Sequence, residues 1–134
     1  MNRQNQEARA AAKFAQIITR DRNSKPIKIS VPGHEGRKYS VILKRNGKEA
    51  VAECLLDEKF GSSPCPSHSI CYHIKAAVIA AAEDAGYSVA FTKTREDAYK
   101  LKNFGALVNK VVTKSGLTQY FATFEERTNG NENK

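Results

Sequence analysis

The spacing of apolar positions changes several times along the chain, and each change marks an element. Between residues 4 and 20, Ala11, Phe14 and Ile18 recur at i, i+3 and i+7 while Arg9, Lys13 and Arg20 fall mainly elsewhere, which predicts an amphipathic helix. "DRNSKP" ends that pattern, because Pro26 disfavours the helical region in the residue before it, so residues 1–24 read as an N-terminal helical segment. "IKISV" then reads as a short strand closed by Pro32-Gly33.

The run "RKYSVILKRNGKEAVAECLL" has a period of two in both halves, joined by Asn46-Gly47, the pair that best supplies the positive φ angles of a tight hairpin turn. Counting outward from that turn, Arg45 faces Lys48, Lys44 faces Glu49, Leu43 faces Ala50, Val41 faces Ala52 and Tyr39 faces Cys54. Tyr39, Val41, Leu43, Ala50, Ala52 and Cys54 then share one side, which should be the buried one.

After a loop containing "GSSPCPS", a period near 3.6 returns in "CYHIKAAVIAAAEDAG". A helix over 71–85 is expected, with Ile74, Ala77, Val78 and Ala81 as its apolar stripe, Ser69 as its N-cap and Gly86 past its end. "YSVAFT" reads as a strand, and "REDAYKLKNF" as a short helix with early acids, late lysines and a stop at Gly105. "ALVNKVVT" and "LTQYFATF" make a second hairpin around Lys114-Ser115-Gly116, and residues 127–134 read as a disordered tail. The chain has no internal repeat.

At 134 residues and 40% apolar content, the chain is sized for one compact unit, placed at 25–126. No signal-like apolar stretch occupies the first thirty residues, and nowhere do eighteen apolar residues run together. An intracellular protein of the cytoplasm, nucleoid or nucleus is therefore expected, with no membrane partner. Three cysteines cannot all pair within one chain, which turns attention from disulfides to metal.

The net charge of +8 is unevenly placed. Residues 20–48 carry nine basic side chains against Asp21 and Glu35, and residues 93–114 carry six against Glu96 and Asp97. Residues 51–90, which hold every cysteine, are acidic by three charges.

"SSPCPSHSICYHIKAA" concentrates the candidate chemistry. A structural zinc ion takes four soft or borderline donors from elements that meet at a point, and this chain offers Cys54 from a strand, Cys65 from a loop, and Cys71 and His73 from a helix start. His68 is a fifth candidate for four places, disfavoured because thiolates hold structural zinc more often than a second imidazole. Two other readings stand beside this one. Buried free cysteine behaves as a small hydrophobe, so Cys54 and Cys71 taken singly read as core. A catalytic thiol with His73 or His68 as base is the other, weakened because Cys71 and His73, two apart on a helix, should diverge and no acid is placed to orient the imidazole. His34, in "VPGHEGRK", reads as a loop residue without companions.

A hairpin, a cysteine leaving its second strand, a loop, and Cys-x-His opening a helix together resemble the SWIM-type zinc finger over residues 39–85. The family pattern is Cys-x-Cys, a variable loop, then Cys-x-His. Cys71 and His73 carry over directly, but of the leading pair only Cys54 is present, since Ala52 and Leu56 cannot bind metal. The resemblance implies binding of DNA or proteins, with Cys65 replacing the missing ligand.

Three thiolates on a dication leave one net negative charge, so the centre itself is a poor phosphate contact. Contacts to nucleic acid would come from Lys44, Arg45 and Lys48 at the hairpin tip, with Arg37, Lys38, Lys25 and Lys28 nearby. Tyr120 and Phe121 could stack on bases, although an alternating strand more simply places them in the core and on the sheet surface. Neither a Gly-rich phosphate loop nor a paired-carboxylate site nor a Ser/His/Asp arrangement stands out, and no small-molecule substrate is expected. The sequence thus predicts an α+β fold: N-terminal helix, antiparallel β-meander, zinc-stapled loop and helix, and C-terminal β-α-β-β unit. The expected function is non-enzymatic, Zn2+-stabilised binding of nucleic acid, chiefly DNA, with a protein-protein interaction module as the alternative.

Overall fold

The computed structural model describes residues 3–46, 49–59, 61–65, 71–101, 107–113 and 118–126. These form a mixed α+β fold in the order α1 (Arg3–Ala12), β1 (Gln16–Arg20), β2 (Pro26–Pro32), β3 (Lys38–Asn46), β4 (Glu49–Glu58), β5 (Gly61–Pro64), α2 (Tyr72–Asp84), β6 (Tyr87–Thr92), α3 (Arg95–Leu101), β7 (Leu107–Thr113) and β8 (Thr118–Glu126). One sheet runs β1-β2-β3-β4-β7-β8-β6, with β5 paired to β4. Its pairs are antiparallel except β4 with β7.

The N-terminal helix is shorter than the expected 4–20. It ends at Ala12, burying Ala8, Ala11 and Ala12, while Phe14 and Ile18 are 74% and 54% exposed and share no core face. The consecutive β-branched Ile17, Ile18 and Thr19 favour strand, and as β1 they pair with β2, setting Ile17 opposite the fully buried Ile29. The meander therefore has four strands rather than three.

The β3–β4 hairpin forms with its register moved by two positions. Asn46 pairs with Glu49, so Lys44 faces Val51, Leu43 faces Ala52 and Val41 faces Cys54. Residues 47 and 48 lie outside the described set. A shift of two preserves the face of every side chain, so Cys54 still shares the buried side with Val41 and Ala52.

The "GSSP" segment, expected as loop, is strand β5 against Leu55–Glu58 of β4. Its residues lack β propensity; pairing with an already extended neighbour decides its conformation. The N-cap of α2 is Cys71, in extended conformation, rather than Ser69, which lies outside the described residues. Gly86, at φ +86°, occupies the left-handed position past the Ala85 cap.

Helices α1 and α2 cover one face of the sheet. Their shared core includes Ala8, Ile29, Val31, Val41, Ile74 and Val111. Because α1 packs on α2 from one side and the sheet from the other, α2 buries more than a single stripe, including Lys75, whose Nζ donates to Asn5 Oδ1 at 2.8 Å. Helix α3 lies across the opposite face near β8 and β6. There Thr123 donates to the Ala98 carbonyl at 3.4 Å and Arg95 sits 5.2 Å from the Phe121 ring centre, both on residues alternating with the core-facing Ala122 and Phe124. The β-α-β-β unit is present as β6-α3-β7-β8. Residues 102–106, 114–117 and 127–134, which include the expected Gly105 stop, the second turn and the tail, fall outside the described set.

Candidate metal centre

The centre forms at a seam in the sheet. Along one edge, β4 pairs with β7 as far as Ala52 and with β5 from Leu55 onward, and Cys54 lies between these two neighbours. Strand β5 runs back along β4 and delivers Cys65, whose amide donates to the Cys54 carbonyl at 3.1 Å. The chain re-enters the described region at Cys71, the N-cap of α2, with His73 in the first turn. The β5 pairing is what brings Cys65 beside Cys54, a proximity that the spacing of 54 and 65 alone does not dictate.

One donor atom from each of Cys54, Cys65, Cys71 and His73 lies within 4.8 Å of the other three. Cys65 Sγ is 3.8 Å from Cys71 Sγ, and His73 Nδ1 is 3.2, 3.9 and 4.0 Å from the sulfurs of Cys71, Cys54 and Cys65. A tetrahedral zinc ion with bonds of about 2.3 Å to sulfur and about 2.0 Å to nitrogen has edges of roughly 3.8 Å between sulfurs and 3.6 Å between sulfur and nitrogen. The donor types suit one such ion, and separations of 3.2 to 4.0 Å lie around those edges, so the set is compatible with a metal site. A two-iron cluster would divide its ligands between two metals and spread them farther apart. Cys71 and His73 are buried, Cys54 and Cys65 half-buried.

Cys71 and His73 converge, against the expectation that they diverge. As an N-cap, Cys71 has φ −88° and ψ 170°, so its side chain leaves the backbone in a non-helical direction and reaches Nδ1. Considered as thiols, the cysteines share protons unevenly. Hydrogen bonding from the Cys54 thiol pulls the Cys71 thiol well below its ordinary range against the opposing effect of burial, with His73 and the Ile74 amide adding to the fall. Cys54 is pushed far up by that same bond and by its own burial. A cation replaces this unequal sharing by holding all three as thiolates.

Rings surround the imidazole. Tyr39 stacks on His73 with centroids 3.6 Å apart and planes at 21°, and Tyr72 lies 4.2 Å away at 41°. His34 is not without companions: its Nε2 is 3.2 Å from Glu7 Oε2, and its ring meets Tyr72 edge-on at 5.7 Å. Sequence spacing gave no sign of this group, because it joins α1, the β2–β3 loop and α2. His68 lies outside the described residues.

The basic candidates do not form a single cluster with the centre. Lys28, Lys38 and Lys44 are exposed on the sheet face opposite the metal donors, since they alternate with Ile29, Tyr39, Val41 and Leu43. Lys25 is exposed before β2, and Arg37 lies 4.0 Å from Glu35 in the β2–β3 loop. Arg45 pairs with Ala50 through its backbone; its side chain and all of Lys48 are outside the described residues, as is the Tyr120 side chain. Phe121 is buried beneath Arg95 and so presents no stacking surface. No described helix is long and apolar enough to cross a membrane. Comparison with family models, with curated proteins and with solved structures finds no match.

Proposed function

We propose that the chain is a small zinc-stabilised, non-enzymatic binding protein whose partner is nucleic acid, DNA foremost. The single observation that carries the reading is the convergence of one donor atom each from Cys54, Cys65, Cys71 and His73 within 4.8 Å of one another. Four protein donors fill the coordination sphere of zinc and leave no open position for substrate or water, the mark of structural rather than catalytic sites. Thiolate-rich ligation favours zinc over magnesium or calcium. The ion acts as a staple, fixing the β4–β5 corner to the start of α2.

The arrangement supports a variant of the SWIM-type finger. Hairpin cysteine, loop and Cys-x-His follow in that order, and Cys65, bonded to Cys54 through its backbone, takes the place of the second leading cysteine. The nucleic-acid reading draws on the +8 charge and on Lys28, Lys38 and Lys44 sharing a face that carries no metal donor. Phosphate contacts of this kind position a protein on a backbone without reading bases.

A gel-shift titration with random duplex DNA tests the reading. Affinity should fall steeply with salt, and a Lys28→Gln, Lys38→Gln, Lys44→Gln variant should lower the logarithmic salt slope by up to about three, roughly one per lost phosphate contact. Absence of binding even at low salt would refute it and favour a protein-protein module, for which Phe14, just before the edge strand β1, and Ile18, within it, offer exposed apolar side chains.

A further inference from the structure

We infer that Tyr39 and Tyr72 are positioning residues of the metal centre, their rings holding the His73 imidazole in the orientation that turns Nδ1 toward the three sulfurs. The inference rests on the metal reading above and extends it to residues that donate nothing to the ion. The terminal torsion of histidine is broad, so an unrestrained ring would carry Nδ1 through many directions. Here the flat face of Tyr39 lies 3.6 Å from the ring centre and Tyr72 lies 4.2 Å from it, in an environment that leaves His73 only 6% exposed.

The restraint has its own support. A Cβ on Gly33 would lie 2.9 Å from Tyr39 Cδ1, nearer still to Cε1, and 3.4 Å from His73 Nε2. Gly33 has φ −113° and ψ −170°, open to any residue, so what its site restricts is space and not backbone angle. Its absent side chain lets Tyr39 lie flat on the imidazole. Tyr72 is met by His34, which Glu7 of α1 engages in turn. The loop that carries Gly33 and His34 is closed by the Gly33 amide on the Arg37 carbonyl at 2.8 Å and the Arg37 amide on the His34 carbonyl at 3.1 Å. A series of ring contacts thus runs from an exposed loop to a metal donor, and the ligand geometry depends on that loop.

Cobalt(II) substitution tests the assignment, because its visible bands report the geometry and donors of a tetrahedral site. Cobalt spectra and zinc affinities, the latter by competition with a chromophoric chelator, would be recorded for the full chain and for Tyr39→Phe, Tyr39→Leu, Tyr72→Leu and Gly33→Ala. Tyr39→Phe keeps the stacked ring and should retain spectrum and affinity. The other three should shift the cobalt bands and weaken zinc roughly ten- to a hundredfold, as lost support around a ligand does elsewhere. Should Tyr39→Leu fail to fold, Tyr72→Leu and Gly33→Ala decide the matter. Unchanged bands and affinities within about twofold of the unsubstituted chain for both would overturn the positioning role while leaving the metal site intact. An unsubstituted chain that takes up neither cobalt nor zinc would overturn the metal reading itself, and this inference with it.

Discussion

Replacing Cys71 with alanine distinguishes a metal ligand from a buried hydrophobe by the size of its effect. As interior alone, the change deletes one buried sulfur, comparable to a methylene, at a cost of about 1 kcal/mol. A chain of 134 residues unfolds with an entropy near 0.28 kcal/mol/K at about 2.1 cal/mol/K per residue, so that loss lowers Tm by about 4 °C. As a ligand, Cys71 carries far more. Free zinc held at about a thousand times Kd stabilises the folded state by about 4 kcal/mol, or about 15 °C on the same conversion, and a three-donor remnant forfeits most of it. Melting of the unsubstituted chain and of Cys71→Ala, each in excess zinc and in strong chelator, separates the two. The gap should approach about 19 °C in zinc, the two losses together, and shrink to about 4 °C in chelator. The same small gap in both conditions would refute the ligand role and return Cys71 to the core.

Three further outcomes follow from the same structure. Ile29→Ala empties a fully buried position between Ile17 and Val41 and should cost about 2 to 5 kcal/mol, lowering Tm by about 7 °C or more by calorimetry without changing metal stoichiometry. Asp84 is held below its ordinary pKa by a hydrogen-bonded, bidentate contact with Arg20 at 2.8 and 2.9 Å, so its contribution is present above the unfolded carboxylate value and is lost as pH falls through the folded one. Asp84→Asn should therefore lower stability slightly near neutrality, flatten the acid limb of denaturant-measured stability, and do so weakly because the pair is solvent-screened. Glu35 holds a left-handed φ of +59° in an exposed turn, and Glu35→Gly should raise Tm by a few degrees, corresponding to about 1 kcal/mol of relieved strain less the added freedom of the unfolded chain.

Where local pattern and tertiary context agreed, the sequence was readable. Alternation fixed the inward face of the β3–β4 hairpin even though the register was two positions off, because the pleat period is two. Helix α2, β6 and the C-terminal unit followed from periodicity and from Gly86. Phe14 and Ile18 misled because their helical spacing competed with three β-branched residues whose strand character is realised only through pairing with β2. Strand β5 was invisible for a related reason: Gly, Ser and Pro carry little strand signal, and β4 supplies the pairing. The four candidate metal donors were legible as residue types. Their convergence depends on the β4 seam, the β5 return and the extended N-cap of Cys71, none of which a spacing expresses. Tyr39 and Tyr72 lie within the 39–85 pattern, but no spacing assigns them a place at the site, and Gly33 and His34 join them from the β2–β3 loop outside it.

Native mass spectrometry tests the central claim most directly, through the mass of the folded chain with and without bound metal. The account predicts one zinc ion per chain, retained in His68→Ala and lost from Cys54→Ala, Cys65→Ala, Cys71→Ala and His73→Ala. A folded chain carrying no ion after exposure to zinc, or one that keeps its ion when any of those four donors is removed, would contradict it.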